Sequence, residues 1–197
     1  ARPSDRGPAS AGSAAGGALW LDKDKTSPYA IYQYFLNSAD ADVIHYLKVF
    51  TFLTKEEIYA LEQEVRENPQ NRVAQKKLAY ELVKTIHGEE AAEEAVKMSQ
   101  VLFSGRINEL TADQLLVCLN GVPSIELSEE KPLVDVLIDV KAASSKREAR
   151  EFVKNGSVLI NGEKQTNIEH VLGKKDSIDD KLIVIRRGKK NYYMVRV

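Results

Sequence analysis

The run A-S-S-K-R-E-A-R-E-F-V-K-N-G-S-V-L-I-N-G-E-K, from Ala143 to Lys164, restricts the possible fold more than any other part of the chain. Ser144 or Ser145 can cap a helix, because a short side-chain oxygen accepts a hydrogen bond from a free first-turn N–H. Asn155-Gly156 is a stop suited to left-handed backbone, so the helix spans about three turns. Ala149, Phe152 and Val153 give it one apolar side, while Lys146, Arg147, Arg150 and Lys154 project along a neighbouring side. Ser157 to Ile160 then alternates weakly as a strand, and Asn161-Gly162 is a strong hairpin signal. The expected product is a compact basic helix leading directly into a hairpin.

Four cations on one short helix are, taken alone, more often a solvated face than a binding surface. The charge distribution argues for more. Residues 131–197 hold 15 Lys+Arg and 9 Asp+Glu, a net of +6; subtracted from the whole-chain 28 and 29, this leaves 13 and 20 in residues 1–130, a net of −7. An overall charge of −1 therefore conceals a basic C-terminal part, which suits a polyanion such as a phosphodiester backbone.

With 197 residues and 43% hydrophobic content, the chain can bury a proper core in one domain or two small ones. Its one cysteine, Cys118, permits no internal disulfide and no multi-cysteine zinc site, which fits a reducing compartment, and it lies in an apolar run as a small hydrophobe. The three histidines, His45, His87 and His170, lie far apart without metal-ligand spacing. There is neither a membrane-length apolar run nor an apolar leader, so no membrane association and no signal peptide are expected.

Residues 1–15 are rich in Ala, Gly, Ser and Pro and are read as a disordered tail or a vector-derived scar. Residues 16–121 read as a helical domain. Ser27-Pro28 starts an aromatic-rich helix, Asp40 a second, and Thr54-x-x-Glu57 is a capping box for a third. Asn71 is expected to cap a fourth helix that ends at His87-Gly88. Glu89 to Phe103 forms a fifth, with Ala92, Ala95, Val96, Ser99 and Phe103 on its buried side, and Thr111 to Leu119 a shorter sixth. Residues 122–130, between Pro123 and Pro132, show no period and are taken as a linker. Residues 131–197 add a short helix from Leu133 to Val140, the basic helix, the first hairpin and a last hairpin that carries Arg186, Arg187, Lys189 and Lys190. Because neighbours on a strand face opposite ways, one of Tyr192 and Tyr193 packs inward. The fold class is α+β: an all-helical domain, then a small domain of two helices and a mostly antiparallel sheet.

S-S-K-R-E-A-R at Ser144–Arg150, K-N-G-S-V-L-I-N-G-E-K at Lys154–Lys164 and R-R-G-K-K at Arg186–Lys190 with Tyr192-Tyr193 resemble the αL RNA-binding domain first recognised in the fourth small-subunit ribosomal protein. More closely, they resemble its copy at the C-terminus of bacterial-type tyrosyl-tRNA synthetases. Upstream, W-L-D at Trp20–Asp22 and T-S-P-Y at Thr26–Tyr29 extend the resemblance, which covers about residues 16–197. It implies a helical anticodon-binding domain and an αL domain that together grip tyrosine tRNA, including its long variable arm. Tyrosylation, with ATP and magnesium, would belong to a class I catalytic domain absent from this chain. No H-x-G-H segment, phosphate-loop glycine pattern or nucleophile elbow is present, so no catalytic residue and no cofactor of its own are assigned to this chain. Lys97-Met98-Ser99 spells part of the family's signature loop but falls mid-helix.

The RNA-binding residues expected are Ser145, Lys146, Arg147, Arg150, Lys154, Asn155, Gly156, Asn161, Gly162 and Lys164, then Arg186, Arg187, Lys189, Lys190 and Tyr192. The Lys and Arg would neutralise phosphates, Tyr192 would stack, and Gly156 and Gly162 would turn the chain where a side chain would block RNA. The resemblance further implies no DNA partner, a monomeric fragment of a cytoplasmic protein, and a parent that dimerises through the absent domain. A stand-alone αL protein acting on ribosomal RNA is the competing reading, and it leaves the Trp20–Tyr29 segment unexplained.

Overall fold

In the computed structural model residues 26–197 are described; the readings of residues 1–15 and of the Trp20 segment fall outside them. The chain divides into two compact units, Ala1–Ser99 and Gln100–Val197.

The first unit is helical. Its elements are α1 (Pro28–Leu36), α2 (Asp40–Phe50), α3 (Lys55–Glu67), α4 (Val73–His87) and the larger part of α5 (Glu89–Ser104). Ser27 caps α1 by accepting from the Ala30 N–H, with Pro28 at the first helical position, and Thr54 caps α3 by accepting from the Glu57 N–H. Leu78, Ala79, Leu82 and Val83 on α4 close a core with Ile31, Tyr32 and Phe35 of α1 and Val43 and Leu47 of α2. Burial raises the Tyr32 phenol above its ordinary pKa, because the anion would lose its water.

The start of α4 differs from expectation. Asn71 belongs to a short 3-10 turn, and Arg72, with φ 52°, takes the N-cap position without a side-chain cap bond. Left-handed backbone disfavours a non-glycine residue by roughly 1–2 kcal/mol. The Arg72 guanidinium offsets this by donating to the Leu36 and Ser38 carbonyls at 2.9 and 2.7 Å, which ties the α1–α2 corner to α4. Phe103 also departs from expectation, being 95% exposed. Ala92, Ala95, Met98 and Val101 are the buried positions of α5, and they step by three residues. Three falls short of a 3.6-residue turn, so the buried side rotates around the helix and faces away from Phe103 by the last turn.

The second unit contains α6 (Ala112–Cys118), α7 (Leu133–Asp139) and α8 (Lys146–Lys154). Its main sheet has the order β1-β7-β6-β3-β4, from β1 (Ser124–Glu126), β3 (Val158–Ile160), β4 (Glu163–Lys164), β6 (Leu182–Arg187) and β7 (Asn191–Arg196). Two short strands, β2 (Lys131–Pro132) and β5 (Val171–Leu172), pair separately. The α+β class holds, with eight helices and a small mixed sheet among the described residues. The segment read as linker contributes β1, which pairs parallel with β7 from Ser124↔Met194 to Glu126↔Arg196.

Strand β6 is buried on both faces: Leu182, Ile183, Val184 and Ile185 are each at most 1% exposed. Ile183 and Ile185 join Tyr193 and Val195 of β7 in a core with Leu133, Val136 and Leu137 of α7 and Ala149 and Val153 of α8. Alternation sends Leu182, Val184 and Arg186 to the opposite face. Residues 102–113 are tied to this side of the unit. The Ala112 N–H donates to Asp179 Oδ2 at 2.8 Å, the Tyr192 hydroxyl donates to the Leu102 carbonyl at 3.4 Å, and Lys181 lies 3.5 Å from Asp113. Cys118 is half-buried.

Candidate nucleic-acid interface

The basic helix forms as its residues dictate. Ser145 Oγ accepts from the Glu148 N–H at 3.1 Å, and the Glu148 carboxylate returns to the Ser144 N–H and hydroxyl at 3.3 and 2.9 Å, so the first turn is fixed from both sides. At the far end Asn155 Oδ1 accepts from the Ser157 hydroxyl at 2.6 Å, and Gly156, with φ 75°, reverses the chain. Ala149 and Val153 anchor the inner side.

Arg147, Arg150 and Lys154 are exposed, and none takes part in an ion pair or hydrogen bond among the described residues. At about 100° per residue they span roughly a 60° arc, one narrow stripe along a rigid helix. Lys146 borders the stripe and lies 3.6 Å from Asp135, an exposed pair of little energetic weight. The Lys164 side chain extends over Gly156, its Nζ 3.9 Å from where a β-carbon would sit, which adds a cation at the C-terminal, electronegative end of α8. The first cluster is thus assembled in one place.

The last hairpin is divided instead. Val158↔Arg187↔Asn191 and Leu159↔Arg186↔Tyr192 are adjacent rows of the ladder, so Arg187 and Arg186 face opposite sides of the sheet. Arg187 points to the α8 side, where Nη1 donates to the Ala142 carbonyl at 2.6 Å and the guanidinium lies 5.1 Å from the Phe152 ring centroid. It joins β6 to the α7–α8 turn and to α8, and its charge serves packing. Arg186 and Tyr192 lie against residues 102–105. Tyr193 is the inward-packing tyrosine, as alternation required. Lys189 and Lys190 are exposed in the closing turn and unpaired among the described residues.

Asn161 and Gly162 serve the fold itself. Asn161 is 9% exposed with φ 50°; its Oδ1 accepts from the Val184 N–H at 2.8 Å, and its Nδ2 donates to the Asp176 carbonyl at 2.6 Å. A β-carbon at Gly162 would lie 2.5 Å from the Gly105 carbonyl oxygen, so the obstruction that requires glycine there is protein backbone. Two positions escaped the sequence reading. Lys141, exposed with φ 64°, sits in the α7–α8 turn outside the motif, and Phe103 stays outside the core its spacing suggests.

Lys131 hydrogen-bonds Asp139, and that bond raises the lysine pKa. Among the described residues no group of three His, Cys, Asp or Glu could hold a metal ion, and no helix is long and apolar enough to cross a membrane.

The second unit joins a capped basic helix to a hairpin on a small mixed sheet, and comparison with known proteins gives the family. The family described as tRNA synthetases class I (W and Y) matches residues 6–104, and the tyrosine–tRNA ligase SYY-like C-terminal domain matches residues 114–195. The chain belongs to the class I tRNA synthetases of the tryptophan and tyrosine group, in its tyrosine branch. The tyrosine–tRNA ligase of Bacillus velezensis is 53% identical over 186 residues, covering 93% of this chain and 44% of that protein. Tyrosine–tRNA ligase 1 of Bacillus subtilis is 50% identical with the same coverage. This chain therefore spans less than half the length of these relatives. A solution structure of a tyrosyl-tRNA synthetase C-terminal domain is 36% identical, covers 46% of this chain and 93% of that one, and superposes with a TM-score of 0.41.

Proposed function

We propose that this chain is the tRNA-gripping portion of a tyrosine–tRNA ligase and holds tyrosine tRNA while the remainder of the enzyme tyrosylates it. The observation that carries this reading is the stripe of Arg147, Arg150 and Lys154: exposed, unpaired among the described residues and fixed on a helix capped at both ends. Cations held at fixed spacing displace condensed counterions from a phosphodiester backbone, and the planar arginine forks add bidentate contacts to phosphate oxygens. Structured RNA is gripped largely through shape and phosphates, which a rigid basic helix and the Lys189-Lys190 turn suit. The long variable arm is the element proposed to lie on α8, with the helical unit toward the anticodon end. ATP and magnesium act elsewhere in the ligase. The chain by itself is a monomer, the whole enzyme dimerises outside these residues, and the protein works in the cytoplasm.

The test is a filter-binding competition among tyrosine tRNA, a tRNA with a short variable arm and a ribosomal RNA fragment. Preference for tyrosine tRNA supports the reading; equal binding to all three, or preference for ribosomal RNA, counts against it.

A further inference from the structure

Of the aromatic rings in the second unit, Phe103 is the one left bare, 95% exposed at the end of α5. Two residues further on, Gly105 lies against the Arg186 guanidinium, which has no hydrogen-bond or ion-pair partner among the described residues. Arg186 is half-buried, and its Nε is screened from solvent with no hydrogen-bond acceptor among the described residues. A guanidinium left without an internal acceptor is available, through its terminal nitrogens, to an anion. Arg186 is positioned by backbone, with no carboxylate holding it: Tyr192, its cross-strand neighbour, donates to the Leu102 carbonyl. A β-carbon on Gly105 would stand 3.1 Å from Arg186 Nη1, and with φ 77° that position is strained for any other residue. Beside them opens a cavity of about 350 Å³ whose lining includes Ser104, Gly105, Asn108 and Glu163. The Asn108 and Glu163 side chains have no hydrogen-bond partner among the described residues, so their polar atoms are available to the edge of a base.

We propose that residues 103–106 and Arg186 form a site for one unstacked nucleotide of the bound RNA, with its base against the Phe103 ring and its phosphate on the Arg186 guanidinium. The proposal rests on the tRNA-binding reading above and adds to it a contact on the sheet face opposite α8. An aromatic face accepts any base, and the planar guanidinium matches phosphate oxygens, so the site recognises an extruded nucleotide more than a sequence. The chemistry of the two ends differs, and their substitutions therefore leave different signatures.

The experiment titrates the whole chain with a tyrosine tRNA transcript across a range of salt concentrations. Phe103→Ala is expected to weaken binding about tenfold without changing the salt slope, and Phe103→Trp to restore it. Arg186→Gln is expected to lower the slope by roughly one. Unchanged affinity for Phe103→Ala, while Arg147→Glu with Arg150→Glu abolishes binding, sinks the nucleotide site and leaves the wider reading intact. If Phe103→Ala changes thermal stability or tyrosyl-adenylate formation in the full-length ligase but not tRNA affinity, the ring is a protein contact and the proposal is overturned.

Discussion

Helix α8 and the β6–β7 hairpin read alike in sequence, each a short run crowded with Lys and Arg, yet the fold uses them differently. On α8 the charged positions avoid the buried side, so Arg147, Arg150 and Lys154 stay in solvent with no partner among the described residues. On β6 consecutive residues must alternate, so Arg186 and Arg187 part to opposite faces, and Arg187 is absorbed by the Ala142 carbonyl and the Phe152 ring. Basic residues on a helix three or four apart share a face, whereas adjacent ones on a strand cannot. A count of charges therefore overstates how many cations the second region leaves exposed, whereas on α8 Arg147, Arg150 and Lys154 are all exposed.

The largest effect is expected at α8. Reversing Arg147 and Arg150 to Glu is expected to weaken tRNA binding well over tenfold in a filter-binding titration, with the thermal midpoint unmoved because neither side chain makes an internal bond. Arg187→Ala should do the converse. Losing a charge-assisted bond and a cation–π contact is expected to cost about 2 kcal/mol in urea unfolding of the second unit, with affinity reduced less than threefold. A finer distinction comes from single neutralisations. Lys154→Gln and Lys189→Gln should each lower the salt slope by roughly one and change affinity only a few-fold, whereas Lys146→Gln, partly paired with Asp135, should lower it less.

The smallest effect lies outside both regions and serves as their control. Tyr32 has its folded pKa raised by burial, so the stability it contributes is complete below the unfolded value of about 10 and is lost as pH rises through the folded value. Circular dichroism of the wild type above about pH 10 should show alkaline loss of the helical unit, and Tyr32→Phe should diminish that step.

Much of this was legible because caps, stops and turns are local. Ser27, Thr54 and Ser145 cap where their oxygens reach first-turn N–H groups, and Asn161-Gly162 turns where it should. What sequence could not show depends on distant neighbours. Strand β1 is too short to have a period and exists only because β7 offers it an edge. The cap of α4 passed from Asn71 to Arg72 because the Leu36 and Ser38 carbonyls lie within its reach. Asn161 resembles a polar turn residue free to meet RNA, and only the positions of Val184 and Asp176 reveal that both ends of its amide are engaged. Phe103 was misplaced because a three-residue step in buried positions rotates the covered side of α5.

The central claim is that three unpaired cations on α8 carry the grip on RNA. It is tested most directly by the salt dependence of tRNA binding to Arg147→Gln, Arg150→Gln, Lys154→Gln combined. A fall in the slope of log K against log salt by roughly two to three, with melting unchanged, is the predicted result. A slope and affinity equal to wild type would contradict it.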